Sequence, residues 1–151
     1  MRFIFEALLT LRKNTLNSIA HLSDEQLHII PAGLNNHIAW NLGHMVASQQ
    51  GLCYRLGNVP LLVPQDFIDK YKKGSHPKEW TSPANIDQIR EYFALTSSRF
   101  EEDYAKGLFA NFTEYPTSSG MVLKNIDDSV VYNYGHENLH YGVILNLRKL
   151  V

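Results

Sequence analysis

The sequence predicts an all-α fold, a four-helix bundle with a long crossover between its second and third helices. Three observations carry this reading. Four long stretches repeat apolar residues at helical spacing. The segment joining the second and third stretches, residues 57–84, is long enough to run the length of a bundle, which lets the helices on either side point the same way. Only residues 108–124, containing FTEYPTSSGMVL, carry a turn between extended pieces, enough for one small hairpin. The chain has 151 residues, 44% of them hydrophobic, which suffices for one packed core in a single domain over residues 1–151.

The first helix is expected over residues 2–21, with Ile4, Leu8, Leu11 and Ile19 on one face. Ser23 and Gln26 have the spacing of a capping box, which predicts a short helical turn before Pro31. The second helix is expected over 36–56. Asn35 or Asn36 would cap it, Gly57 would stop it, and Ile38, Leu42, Met45, Leu52 and Leu56 form its buried stripe. The crossover that follows carries Pro60, Pro64, Gly74, Pro77 and Pro83. The third helix is expected over 85–106, capped by Ser82 or Asn85 and stopped by Gly107, with Ile86, Ile89, Phe93 and Phe100 inward. The fourth is expected over 127–150. Asp127, Asp128 and Ser129 suit its N-terminus, and Arg148 and Lys149 its C-terminus.

Composition narrows the function. Net charge is −1 with both signs scattered, so no basic face is offered to nucleic acid. Cys53 is the single cysteine, so no internal disulfide forms, which fits a reducing compartment. The start, MRFIFEALLTLRKN, is interrupted by Glu6 and lacks a cleavage site, so it is not read as a signal peptide. No apolar run reaches the roughly 18 residues needed to span a bilayer. The expectation is a cytoplasmic protein without a membrane or nucleic-acid partner.

One string points to chemistry. His136-Glu137-Asn138-Leu139-His140 matches H-E-x-x-H, in which two histidines hold zinc and the glutamate activates water. On a helix these histidines differ by about 40° around the axis and one turn along it, so both imidazoles reach one ion. A zinc protease also needs a downstream ligand. The remaining residues, YGVILNLRKLV, contain no His, Cys, Asp or Glu. That argues against a metalloprotease and makes a third ligand from upstream necessary. His21, His28 and His76 fall at helix ends or in loops. His37 and His44 share a face but lie two turns, roughly 10 Å, apart. His44 sits roughly 12 Å into its helix, and His136 and His140 roughly 13 and 19 Å into theirs, so His44 matches their level in either direction. His37, at the tip, does not.

These residues have a recognisable order. Trp40-x-x-Gly43-His44 lies within NNHIAWNLGHMVASQQ, and the chain closes with His136-x-x-x-His140-Tyr141-Gly142 after a turn containing Gly120. Over essentially its whole length the chain resembles the DinB-like (YfiT-like) family of metalloenzymes, in the DinB superfamily. The resemblance implies a four-helix bundle with a long crossover. It implies a divalent metal, zinc or nickel foremost, on His44, His136 and His140. It implies a small-molecule reaction, either transfer of a low-molecular-weight thiol or hydrolysis, and a homodimer. The family name refers to induction by DNA damage and carries no implication of DNA binding.

Three neutral imidazoles leave a metal with positive charge and an open position. Zinc in such a site lowers the pKa of bound water to about 7, and the same position accepts a thiolate. The working group would be that water or thiolate, with Glu137 a weaker candidate base that reads more simply as a solvated charge. Cys53 lies two and a half turns past His44 and reads as a small buried residue, so a thiol would come from outside. By helical phase, Asn41, Ser48 and Asn133 are placed to hold a histidine's second nitrogen. Gly135 and Gly142 suggest close helix approach or room for a ligand. Trp40, Tyr132, Tyr134 and Tyr141 suggest aromatic walls. The competing class is a non-catalytic bundle whose histidines serve structure or dimerisation.

Overall fold

The computed structural model describes residues 1–151 and is predominantly helical. Helix α1 spans Arg2–Ser18, and α2, Asp24–Leu27, is the short turn whose Ser23–Gln26 capping box forms reciprocally. Helix α3 spans Ile38–Gln49 and continues as a π-helical turn over Gln50–Arg55. Its N-cap is His37, whose Nδ1 accepts the Trp40 amide at 2.9 Å, in place of the expected Asn35 or Asn36. The crossover is not a bare link. It contains α4, Gln65–Tyr71, and a 3₁₀ turn over Pro77–Glu79. Helix α5 runs Ile86–Ala105, capped by Asn85 and ended by Gly107 at φ 70. Strands β1, Tyr115–Pro116, and β2, Val122–Leu123, pair antiparallel as the expected hairpin. Helix α6 spans Ile126–Leu147, with Asn125 receiving the Asp128 amide as its cap.

The four long helices close a ring: α1 and α3 each pack on both α5 and α6. Their directions follow from cross-helix bonds. Gln49 reaches the Thr96 carbonyl and Tyr54 reaches Asp103, so α3 and α5 run parallel, as a crossover permits. Asn41 meets His140 while Ser129 reaches the Leu52 carbonyl, so α3 and α6 run antiparallel. The larger core cluster gathers Ile38, Leu42, Met45, Phe67, Ile89 and Phe93 around α3. A second, built on Phe5, Tyr54, Phe100 and Phe109, fills the opposite end. No helix is long and apolar enough to cross a membrane.

Between the clusters lies a buried polar knot. The Arg12 guanidinium holds Glu137 through two bonds of 2.8 and 2.7 Å. It also donates to Thr96 Oγ1 at 2.8 Å, Ser97 Oγ at 2.9 Å and the Phe93 carbonyl at 3.2 Å. Asn133 donates to Glu137 at 2.9 Å. The knot therefore ties α1, α5 and α6 together with every charge paired.

Candidate metal centre

His44 is positioned by its own helix and by the crossover. One turn earlier, the Trp40 ring stacks on the imidazole, with centroids 4.5 Å apart and planes inclined by 11°. Gly43 lets α4 come close, because a Cβ there would overlap the Tyr71 ring. Tyr71 is the last residue of α4, and its carbonyl is one that the helix leaves unpaired. It accepts from His44 Nδ1 at 2.7 Å. The proton is thereby fixed on Nδ1, and the Nε2 lone pair accepts from the Ser48 hydroxyl at 3.2 Å, a bond that an ion at Nε2 would replace.

His140 is set in the same way by α3. Its Nδ1 lies 2.8 Å from Asn41 Oδ1, and the Asn41 amide donates onward to the His37 carbonyl at 2.9 Å. His136 stands one turn before it on α6, with its Nδ1 buried and lacking a hydrogen-bond partner. The three rings lie 5.2, 4.7 and 4.6 Å apart between centroids. One ligand atom from each falls within 4.8 Å of the others.

Burial sets the charge state. It pushes His44 down to about 4, against the opposing pull of the Tyr71 carbonyl, and His136 adds to the lowering. Burial followed by repulsion from His44 and His136 brings His140 down to about 3. His136 is also lowered, chiefly by burial. At neutral pH all three are uncharged donors. Neutral, oriented nitrogens with one orphaned ring atom fit a divalent cation, and the cluster allows a metal-binding site. It opens onto a cavity of about 760 Å³, a volume suited to a small molecule.

The other expected residues divide. Asn41 does hold the second nitrogen of His140. Ser48 does not serve that purpose: its hydroxyl reaches His44 at Nε2, the nitrogen turned to the cluster, because Tyr71 already takes the Nδ1–H. Asn133 does not; it serves Glu137. Glu137 is not the solvated charge expected of it. It is fully buried, points to Arg12, and does not line the cavity. The reason is rotational: Glu137 lies on the face of α6 that packs on α1, where Arg12 meets it, while Gly135, Asn138 and Leu139 are the residues turned to solvent. Trp40 and Tyr132 line the cavity, whereas Tyr134 packs on the second core cluster and Tyr141 is not in the wall. A Cβ at Gly135 or Gly142 would meet nothing, so neither marks a close helix approach. Cys53 is buried against Ser129, and its thiol is pushed up to about 12 by that burial.

Four features escaped the sequence reading: the Tyr71 carbonyl, the space at Gly43, Lys73, and the hairpin as a cavity wall. Only Gly43 left a trace, since a glycine inside a helix is unfavourable by about 1 kcal/mol unless something needs the space.

A family model of the DinB superfamily matches residues 7–144. No curated protein matches the chain.

Proposed function

This chain belongs to the DinB superfamily, and from that premise we propose that it is a divalent-metal-dependent enzyme acting on a small molecule. His44, His136 and His140 are its ligands, with zinc or nickel as the ion. The observation that carries the reading is three neutral imidazoles from two helices, with ligand atoms within 4.8 Å, facing one open cavity. A divalent ion held there would supply Lewis acidity, the property that makes a bound thiol or water more acidic. The chain's part is to orient the donors. Tyr71 and Asn41 each hold one Nδ1–H, and Trp40 fixes the plane of His44.

Thiol transfer and hydrolysis are the two reactions this arrangement serves. With Cys53 buried and its thiol acidity suppressed, a thiol co-substrate is a separate small molecule. Glu137 takes no part in proton transfer, because both its oxygens are already engaged within the knot. A cytoplasmic setting suits the unpaired cysteine, and a homodimer follows from the family resemblance.

The test is metal content. Purified protein reloaded with zinc is expected to hold one ion per chain, and His44→Ala, His136→Ala and His140→Ala each to lose it. Full stoichiometry in any of the three, with the fold intact by circular dichroism, overturns the ligand set. Metal-stripped protein separates enzyme from structural bundle. An enzyme's ion exchanges without unfolding the chain and takes up an added thiol in a cobalt spectrum. A purely structural ion does neither.

A further inference from the structure

The cavity in front of the histidines is charged with one sign only. Its wall of 19 residues contains no aspartate or glutamate and one lysine, Lys73. Neighbouring lysines are already occupied. Lys72 pairs with Asp69 at 2.8 Å, and Lys70 is spent on Ser82 and the Pro83 carbonyl. Lys73 forms no ion pair. Its Nζ donates only to Ser118 Oγ at 3.1 Å, on the hairpin loop across the cavity. An ammonium has three donors, so two remain.

Its position is fixed by the same turn of chain that orients the metal ligand, since Lys73 follows Tyr71 by two residues. Lys73, His44 and His136 line one cavity, which puts the ammonium and the histidine cluster in front of the same bound molecule. Around it the hairpin offers the hydroxyls of Ser118 and Ser119, while Leu139 and Val143 of α6 keep the facing wall apolar. A divalent ion and a lysine together, with no acid to offset them, favour a negatively charged ligand.

We propose that the cavity selects a small substrate bearing a carboxylate, held by Lys73 while the substrate's reacting end meets the three-histidine centre. A single cation matches the single charge of a carboxylate. The arm from Ser118 keeps the flexible lysine stem directed across the opening. This rests on the metal-centre reading above.

Cobalt-loaded full chain tests it. Three thiols put the same donor on the ion while differing in charge at the other end: 3-mercaptopropionate, 2-mercaptoethanol and 2-aminoethanethiol. Thiolate-to-cobalt absorbance gives each affinity. Comparing variant with wild type cancels the thiols' different acidities. Lys73→Met is expected to weaken 3-mercaptopropionate about fivefold relative to 2-mercaptoethanol, the upper range for a solvent-exposed ion pair. It should leave 2-aminoethanethiol unchanged or tighter. Lys73→Arg should keep the wild-type order, and added salt should flatten it. Ser118→Ala, which loosens the hairpin contact but keeps the charge, should retain most of the preference. An unchanged preference in Lys73→Met overturns the inference, as does its complete loss in Ser118→Ala. Normal cobalt and thiol binding without charge preference sinks this inference alone. Failure of the wild type to bind cobalt, or of any thiol to reach it, sinks the metal-centre reading instead.

Discussion

Replacing Glu137 with glutamine separates two views of H-E-x-x-H in this chain. If the glutamate were a catalytic base, Glu137→Gln would abolish turnover and leave stability alone. The structure expects the reverse. Glu137 and Arg12 are both buried, joined at 2.8 and 2.7 Å. The substitution removes the counter-charge and turns one acceptor into an NH₂ group facing guanidinium donors. Breaking a buried pair by removing one partner costs about 3–5 kcal/mol. Arg12 keeps Thr96, Ser97 and the Phe93 carbonyl, so the lower end, about 3 kcal/mol, is expected. Unfolding entropy of about 2.1 cal/mol/K per residue over 151 residues makes that a fall in Tm of roughly 9 °C. Metal-free protein followed by calorimetry and urea unfolding reads the loss, and zinc titration well below the melting range reads the site. Replacing both partners by Met should cost much less than the sum of the single changes. A wild-type Tm in Glu137→Gln refutes the reasoning, and so does loss of zinc affinity without loss of stability.

Asn41→Ala frees the His140 ring and should weaken zinc binding by about 10–100-fold with little change in thermal stability, read by competition with a chromophoric chelator. Gly43→Ala drives a Cβ into the Tyr71 ring. It should lower both Tm and zinc affinity, whereas Gly135→Ala, with open space around it, should leave zinc affinity unchanged and raise Tm slightly. Cys53, buried with its thiol pushed up to about 12, should resist an aromatic disulfide reagent at pH 8 until urea unfolds the chain. The metal-free protein should lose stability as pH falls from 6.5 to about 3, since folding holds His37 and His44 down at about 4 and His140 at about 3, against 6.5 in the unfolded chain. In that window the unfolded chain binds more protons, each group contributing a slope of up to about 1.4 kcal/mol per pH unit. Zinc should blunt the part due to His44 and His140 and leave the part due to His37, which urea titrations at several pH values will show.

Much of this was legible in the sequence, for reasons specific to each residue. The four long helices announce themselves because each buries a stripe at helical spacing, and their ends fall within a few residues of expectation. The first stops at Ser18 rather than 21, and the second passes into a π-helical turn after Gln49. Helix α4 was hidden: seven residues between prolines give too little periodicity. His44 could be matched to the C-terminal pair by depth alone, and Asn41 by phase, because a helix maps spacing onto direction; phase also put Ser48 beside His44, but not which ring nitrogen it would meet. Glu137 was misjudged because its partner lies 125 residues away, on a helix whose rotation the sequence does not fix. Tyr71 acts through a backbone carbonyl, a group every residue has, so no side-chain pattern could point to it.

That carbonyl changes what the crossover is for. A parallel α3–α5 pair requires a long connection, and a plain linker would satisfy that need. Instead, residues 71–75 touch the site at three places. The Tyr71 carbonyl holds His44, Ser75 Oγ receives the Trp40 indole at 2.9 Å and so fixes the ring stacked on His44, and Lys73 reaches the hairpin. The histidine pair on α6 comes ready-made from an i, i+4 repeat, but the third histidine is oriented by a segment that exists only because of the topology. The connection that completes the fold therefore also aims His44 and brings Lys73 into the cavity, so the orientation of that histidine and the cavity's one lysine are set by the same five residues.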